Sequence, residues 1–139
     1  MPIQPTGAPG IKGTIEVFPE FREGLRDIEG FSHIILIYHF HRVNGSKLLV
    51  TPFLDTQLRG VFSTRAPTRP NPIGMSIVRL RERKQNILYI ENLDILDGTP
   101  LLDIKPYVPE FDHRPEVRTG WLERARGKVR QGKSDDRFK

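Results

Sequence analysis

The sequence predicts a mainly β domain: a small antiparallel β-barrel of about seven strands, with a short helix after the first strand and a second helix at the C-terminus. Three observations lead there. Seven short runs carry strand-like apolar patterning, turn residues separate them closely, and so many strands leave exposed edges that closure into a barrel would remove.

The first run, GIKGTIEVF, sets Ile11, Ile15 and Val17 against Lys12, Thr14 and Glu16. That is the period of a half-buried strand. The segment PEFREGLRDIEGF follows, where Phe21, Leu25 and Ile28 recur at helical spacing behind Pro19, so one short helix is expected. Strands are then expected over HIILIYHFH, 47–53, 60–63, 76–83, 86–93 and 101–107. Lys84-Gln85-Asn86 supplies one turn, and Asp97-Gly98-Thr99-Pro100 a second through an Asp-Gly pair that tolerates positive φ. The last element, EVRTGWLERARGKVRQ, places Val117, Trp121, Ala125 and Val129 on one helical stripe, weakened by Gly120 and Gly127.

A chain of 139 residues fits one domain with a core of its own. It has no cysteine, which excludes disulfides and thiolate metal sites, and its four histidines lack ligand-like spacing, so no metal is expected. No window approaches the ~20 apolar residues of a membrane span, and MPIQPTGAPG lacks the pattern of a secretory signal. The expectation is a cytoplasmic protein. Charge divides the chain at residue 113: residues 114–139 hold nine Lys/Arg against four Asp/Glu, whereas residues 1–113 hold thirteen of each. The two parts are a neutral barrel domain, 1–113, and a basic helix and tail, 114–139. A basic segment on a neutral body suits a polyanionic partner held through salt-sensitive phosphate contacts, although a solvated terminus would look the same.

The stretch STRAPTRPNPIG, residues 63–74, lies between two expected strands. Its three prolines fix their own φ and drive Ala66, Arg69 and Asn71 toward extended geometry. A loop shaped in advance loses less entropy on binding, and Arg65 and Arg69 offer planar guanidiniums for carboxylate, phosphate or base edges. GKVRQGKS, residues 127–134, satisfies the P-loop pattern. It is rejected as a phosphate cradle, because no strand precedes it and only five residues follow.

In its fuller form, GVFSTRAPTRPNPIGMS resembles the signature of the TrmO (TsaA-like) family of tRNA methyltransferases. GFSHIILIYHFH, LDGTPLLDIKPYVPEFD and PIQPTGAPG resemble further family segments in the same order, together spanning most of residues 1–112. Family members usually begin with a strand of the kind Ile-Gly-x-Ile-x-Ser-Pro-Phe, and this sequence starts just after where that strand would end. The resemblance implies a β-barrel that binds S-adenosyl-L-methionine without a Rossmann domain, as a homodimer with the cofactor near the subunit interface. It implies N6-methylation of N6-threonylcarbamoyladenosine, t6A, at position 37 beside the tRNA anticodon. The cofactor residues it implies are Pro2, Ile3, Gln4, His41, Arg42, Arg65, Met75, Asp97, Gly98, Thr99, Pro100, Leu102, Asp103, Ile104 and Lys105.

Within these motifs His41, Asp103 and Tyr107 are the side chains able to help deprotonate N6, which a ring and a carbonyl make a poor nucleophile. Each has a plainer alternative: Asp103 pairing with Lys105 or Arg65, His41 bonding backbone at a strand end, Tyr107 packing in the core. Arg65, Arg69 and Asn71 in the loop, and Lys128 and Arg130 in the tail, are the candidates for substrate contact. A non-catalytic RNA-binding barrel module is the competing class. Such modules display several aromatic rings for stacking. Here Phe18, Phe31, Phe40, Phe53 and Phe62 are expected to pack inward, leaving only Phe111, Trp121 and Phe138 outside.

Overall fold

The computed structural model describes residues 2–5, 12–53, 55–91, 95 and 97–123. Eight strands occur in the order β1 (Pro2–Pro5), β2 (Lys12–Glu16), β3 (His33–His39), β4 (Leu49–Val50), β5 (Arg59–Gly60), β6 (Ile73–Lys84), β7 (Ile87–Glu91) and β8 (Thr99–Pro106), followed by one turn of helix, α1 (Pro109–Asp112). Six of them pair in the spatial order β1-β2-β7-β6-β3-β8, all antiparallel. Strand β1 also pairs with β8, through Pro2↔Pro100 and Ile3↔Thr99, so the ring of pairings closes on itself.

The mainly β, antiparallel class expected from sequence holds, but membership differs. Residues 47–53 and 60–63 contribute only β4 and β5, which form a separate two-stranded sheet. Pro2–Pro5, where no strand was expected, supplies the closing one. The expected helix at residues 19–31 is two 3-10 segments, Pro19–Leu25 and Ile28–Gly30, broken at Asp27 with φ 72°. A left-handed residue stops any α-helical ladder, and only Leu25 of the two segments is buried. Of the expected C-terminal stripe, Val117 and Trp121 are described, whereas Ala125, Val129, Lys128, Arg130 and Phe138 lie outside the described residues.

Alternation fills the interior. Ile34, Leu36 and Tyr38 of β3, Val78 and Leu80 of β6, Leu88 and Ile90 of β7, and Ile15 of β2 point inward and form one core with Leu101 of β8. Both expected turns carry positive φ where the chain reverses, at Gln85 and at Gly98. The aromatic side chains depart from expectation: Phe18, Phe31, Phe53 and Phe62 are exposed, and only Phe40 packs against the core.

Candidate active site

The end of β3 and the loop of residues 61–72 meet at one end of the ring. The Phe40 amide donates to the Pro72 carbonyl at 2.7 Å, fixing the loop's exit beside the strand end that leads to His41. Gly74 makes this approach possible. A Cβ there would stand 2.7 Å from Phe40 Cζ and would also overlap the Tyr38 ring, so the two rings occupy the space a side chain would need. Those rings meet edge to face with centroids 5.5 Å apart, and the Tyr38 hydroxyl lies 2.8 Å from Ser76 Oγ.

The loop is held from within. Thr64 Oγ1 donates to the Val61 carbonyl at 2.8 Å and accepts from the Ala66 amide at 3.2 Å. Arg69 Nη1 donates to the carbonyls of Thr64, at 2.9 Å, and Ala66, at 3.1 Å. The Arg69 guanidinium therefore acts first on the loop itself, while Arg65 and Asn71 are exposed. Prolines bias this loop, and Arg69 together with Phe40 completes its shape.

A cavity of about 150 Å³ opens beside this junction, lined by Tyr38, Phe40, His41, Arg42, Val43, Ile95 and Thr99. Three of these, His41, Arg42 and Thr99, belong to the cofactor set expected from sequence. Tyr38, Phe40, Val43 and Ile95 were missed, because inward apolar residues carry no chemical signature in a sequence. Pro2 and Ile3 reach the same end through their register with Pro100 and Thr99, and Gln4 follows along β1 opposite Thr14. Asp97 and Gly98 form the exposed turn just before Thr99.

A second group lies on the outer face of the sheet. Ile37 of β3 is flanked by Met75 on one side and Asp103 on the other, and Ile35 by Ile77 and Lys105. A bulge in β8, where Ile37 pairs with Asp103 but Tyr38 with Leu101, leaves Leu102 as the extra residue. Leu102 and Asp103 are consequently both exposed, between inward-facing Leu101 and Ile104. Lys105 Nζ lies 3.1 Å from Asp103 Oδ2, and the Ile104 amide donates to Asp103 Oδ1 at 2.8 Å. The Lys105 hydrogen bond outweighs the desolvation that would raise it and, with a lesser contribution from the Ile104 amide, holds the Asp103 carboxyl below its ordinary pKa. Asp103 is thus ionised but weakly basic.

The trio His41, Asp103 and Tyr107 is not assembled within one chain. The Tyr107 amide donates to the His33 carbonyl at 3.1 Å and its ring meets the His33 ring edge-on at 6.4 Å. That places it at the opposite end of β3 from His41, about 20 Å away at ~3.3 Å per residue over the strand's length. Among the described residues no group of three or more His, Asp or Glu side chains is placed to hold a metal, and no helix is long and apolar enough to cross a membrane.

Residues 1–113 match the family described as the tRNA-methyltransferase O N-terminal domain. The chain belongs to the TrmO family. The crystal structure of TrmO from Pseudomonas aeruginosa superposes with a TM-score of 0.71 at 37% identity, covering 86% of this chain and 58% of that one. A protein of Pyrococcus abyssi named a probable S-adenosyl-L-methionine-binding protein is 64% identical over 99% of this chain and 75% of its own length. The mouse tRNA (adenine(37)-N6)-methyltransferase is 37% identical over 69% of this chain and 23% of its own. Relatives of this TrmO chain are thus named for S-adenosyl-L-methionine binding and for methyl transfer, and several extend well beyond the part it matches.

The described cavity suits part of that cofactor. Pockets that enclose a whole ligand of this size span roughly 300–1,000 Å³, so a cavity of about 150 Å³ takes one portion of it. Its rings and aliphatic side chains suit a flat heterocycle, and Arg42 at its edge suits a carboxylate.

Proposed function

We propose that this protein is an S-adenosyl-L-methionine-dependent tRNA methyltransferase acting on N6 of t6A at position 37. One observation supports this reading above the others: the strand end bearing His41 and Arg42 and the turn leading to Thr99, far apart in sequence, converge on one cavity, and the arginine-bearing loop is bonded to that strand end through the Phe40 amide and the Pro72 carbonyl. The cofactor, when bound, supplies a methyl group on a sulfonium centre. The protein's task is then to align that group with N6 and relieve N6 of its proton.

Tyr38, Phe40, Val43 and Ile95 form the apolar bed, Thr99 offers a buried hydroxyl, and Arg42 an exposed cation. His41, half-buried at the rim, is the better placed proton acceptor, since Asp103 is committed to Lys105. Arg65 is exposed and can meet an anion, either the threonyl carboxylate or a tRNA phosphate. Because the cavity holds only part of the cofactor, a second copy of the chain completes the site. The outer face of β6 and β8 fits that role, with Ile73, Met75, Ile77 and Leu102 each about half exposed, at 45–53%. Contiguous apolar surface of this kind is characteristic of subunit interfaces.

The test is to incubate the protein with S-adenosyl-L-methionine and either threonylcarbamoylated or unmodified tRNA, then weigh the nucleosides. A methyl gained on t6A alone is expected. A non-catalytic RNA-binding module would bind tRNA and transfer nothing, and the exposed phenylalanines keep that reading chemically coherent.

A further inference from the structure

The signature loop is fixed at its exit by Phe40 and inside by Arg69. Its entry has a different anchor. Trp121, 58 residues away in sequence, donates its indole N–H to the Ser63 carbonyl at 2.9 Å. The indole is itself supported: the Arg59 guanidinium carbon lies 5.9 Å from the ring centroid. Arg59 in turn is held by Asp55, with Nε donating to Oδ2 at 2.7 Å. Asp55 Oδ1 accepts from the amides of Thr56, at 2.8 Å, and Gln57, at 3.2 Å, so this carboxylate is well fixed. A continuous chain of contacts therefore runs from the loop after β4, through Arg59 of β5, to Trp121 and back to Ser63.

We propose that Trp121 is a positioning residue for the loop that presents Arg65. Its donor fixes the Ser63 carbonyl, two residues before Arg65, while the Arg69 guanidinium grips the carbonyls of Thr64 and Ala66 on either side of Arg65. Between these clamps the one long side chain left exposed is that of Arg65. The proposal rests on the reading that this loop serves the transfer site. It adds that the segment beyond the strands, from which the basic tail continues, shapes that site rather than merely trailing from it. A tail that only touched phosphates would have no need of an indole bonded to this carbonyl.

The decisive variant is Trp121→Phe, which keeps a ring near Arg59 and removes the N–H. Trp121 is half-buried and outside the core, so the strands remain folded, and a melting curve checks this. Hydrogen exchange followed by NMR supplies a readout independent of activity. The amides of Thr64, bonded to the Val61 carbonyl at 3.1 Å, and Ala66 are expected to exchange at least about fivefold faster, with the β3 amides unchanged. Unchanged exchange at both overturns the proposal.

A double-mutant cycle with Arg65→Ala then reads tRNA methylation. Alone, Trp121→Phe is expected to lower kcat/KM for tRNA about tenfold with S-adenosyl-L-methionine affinity within twofold; on the Arg65→Ala background it is expected to add little. Full additivity, or equal loss of cofactor affinity, shows a merely structural residue. If the wild-type protein methylates no tRNA, the functional reading fails, while the exchange experiment still decides whether Trp121 holds the loop.

Discussion

Replacing Gly74 with alanine tests the packing at the heart of the site. At a strand position outside the left-handed region, Gly→Ala ordinarily stabilises a protein by about 0.4–1 kcal/mol, because the unfolded chain loses freedom. Gly74 has no positive φ, so that gain applies. Opposing it, the new Cβ would lie 2.7 Å from Phe40 Cζ and 2.7 Å from Tyr38 Cζ, against ordinary carbon contacts of about 3.5–4.0 Å. Two rings must each yield by nearly 1 Å. Neither does so easily: Tyr38 is buried and bonded to Ser76, pairs directly across from Gly74, and is braced edge-on by Phe40.

Overpacking of this kind costs roughly 1–3 kcal/mol, so the net effect is destabilising. For a domain of this size 1 kcal/mol moves the melting temperature by about 3–5 °C. Since both rings line the cavity, cofactor affinity should fall as well. The assay pairs urea denaturation with calorimetric titration of S-adenosyl-L-methionine, for Gly74→Ala alone and with Phe40→Leu, which frees space and should recover part of the loss. A Gly74→Ala protein that is more stable than wild type, with unchanged affinity, would refute the steric argument and leave only the entropic one.

Arg65→Ala should lower turnover about a hundredfold, to a small but measurable remainder, without unfolding the protein, since the residue is exposed; activity within twofold, only ~0.4 kcal/mol of transition-state stabilisation, would show that it does not contribute. Asp55 is held down to about 2, chiefly by its hydrogen bond from Arg59. A folded pKa below the unfolded one gives stability that is fully present above about pH 4 and lost as pH falls toward 2. Acid titration of stability should therefore show the gap between wild type and Asp55→Asn shrinking over that window, and a gap constant from pH 5 to 2 contradicts the pairing. If a second copy packs on the exposed apolar face, Met75→Glu puts a charge into that interface and should shift sedimentation from dimer to monomer; unchanged sedimentation contradicts that placement of the interface. Deleting residues 127–139 removes five Lys/Arg and two Asp. If those cations meet phosphates, tRNA affinity should fall and the salt slope of log K flatten by ~0.7–0.9 per lost contact, whereas an identical slope makes the tail a solvated appendage.

Sequence by itself determined whatever depends on neighbours along the chain. Strands β3 and β7 were legible because side chains alternate with a period of two, and the turn at Gly98 because only certain residues accept positive φ. Prolines announced a stiff loop at residues 63–74, and its motif identified the family. What pairs across space was not written locally. Pro2–Pro5 has two prolines in four residues and no apolar period, so only its partners β2 and β8 make it a strand. Gly74 is only the last residue of a proline-rich stretch until two rings are found packed where its side chain would be. Asp103 and Lys105 stand in one motif with Thr99, yet the bulge at Leu102 turns them to the outer face while Thr99 stays in the cavity. Tyr107 belongs to the same motif and ends about 20 Å from His41 by strand length, because a strand carries nearby residues to distant places. Only the closure of the sheet and the contacts across it decide which residues of a motif share a site.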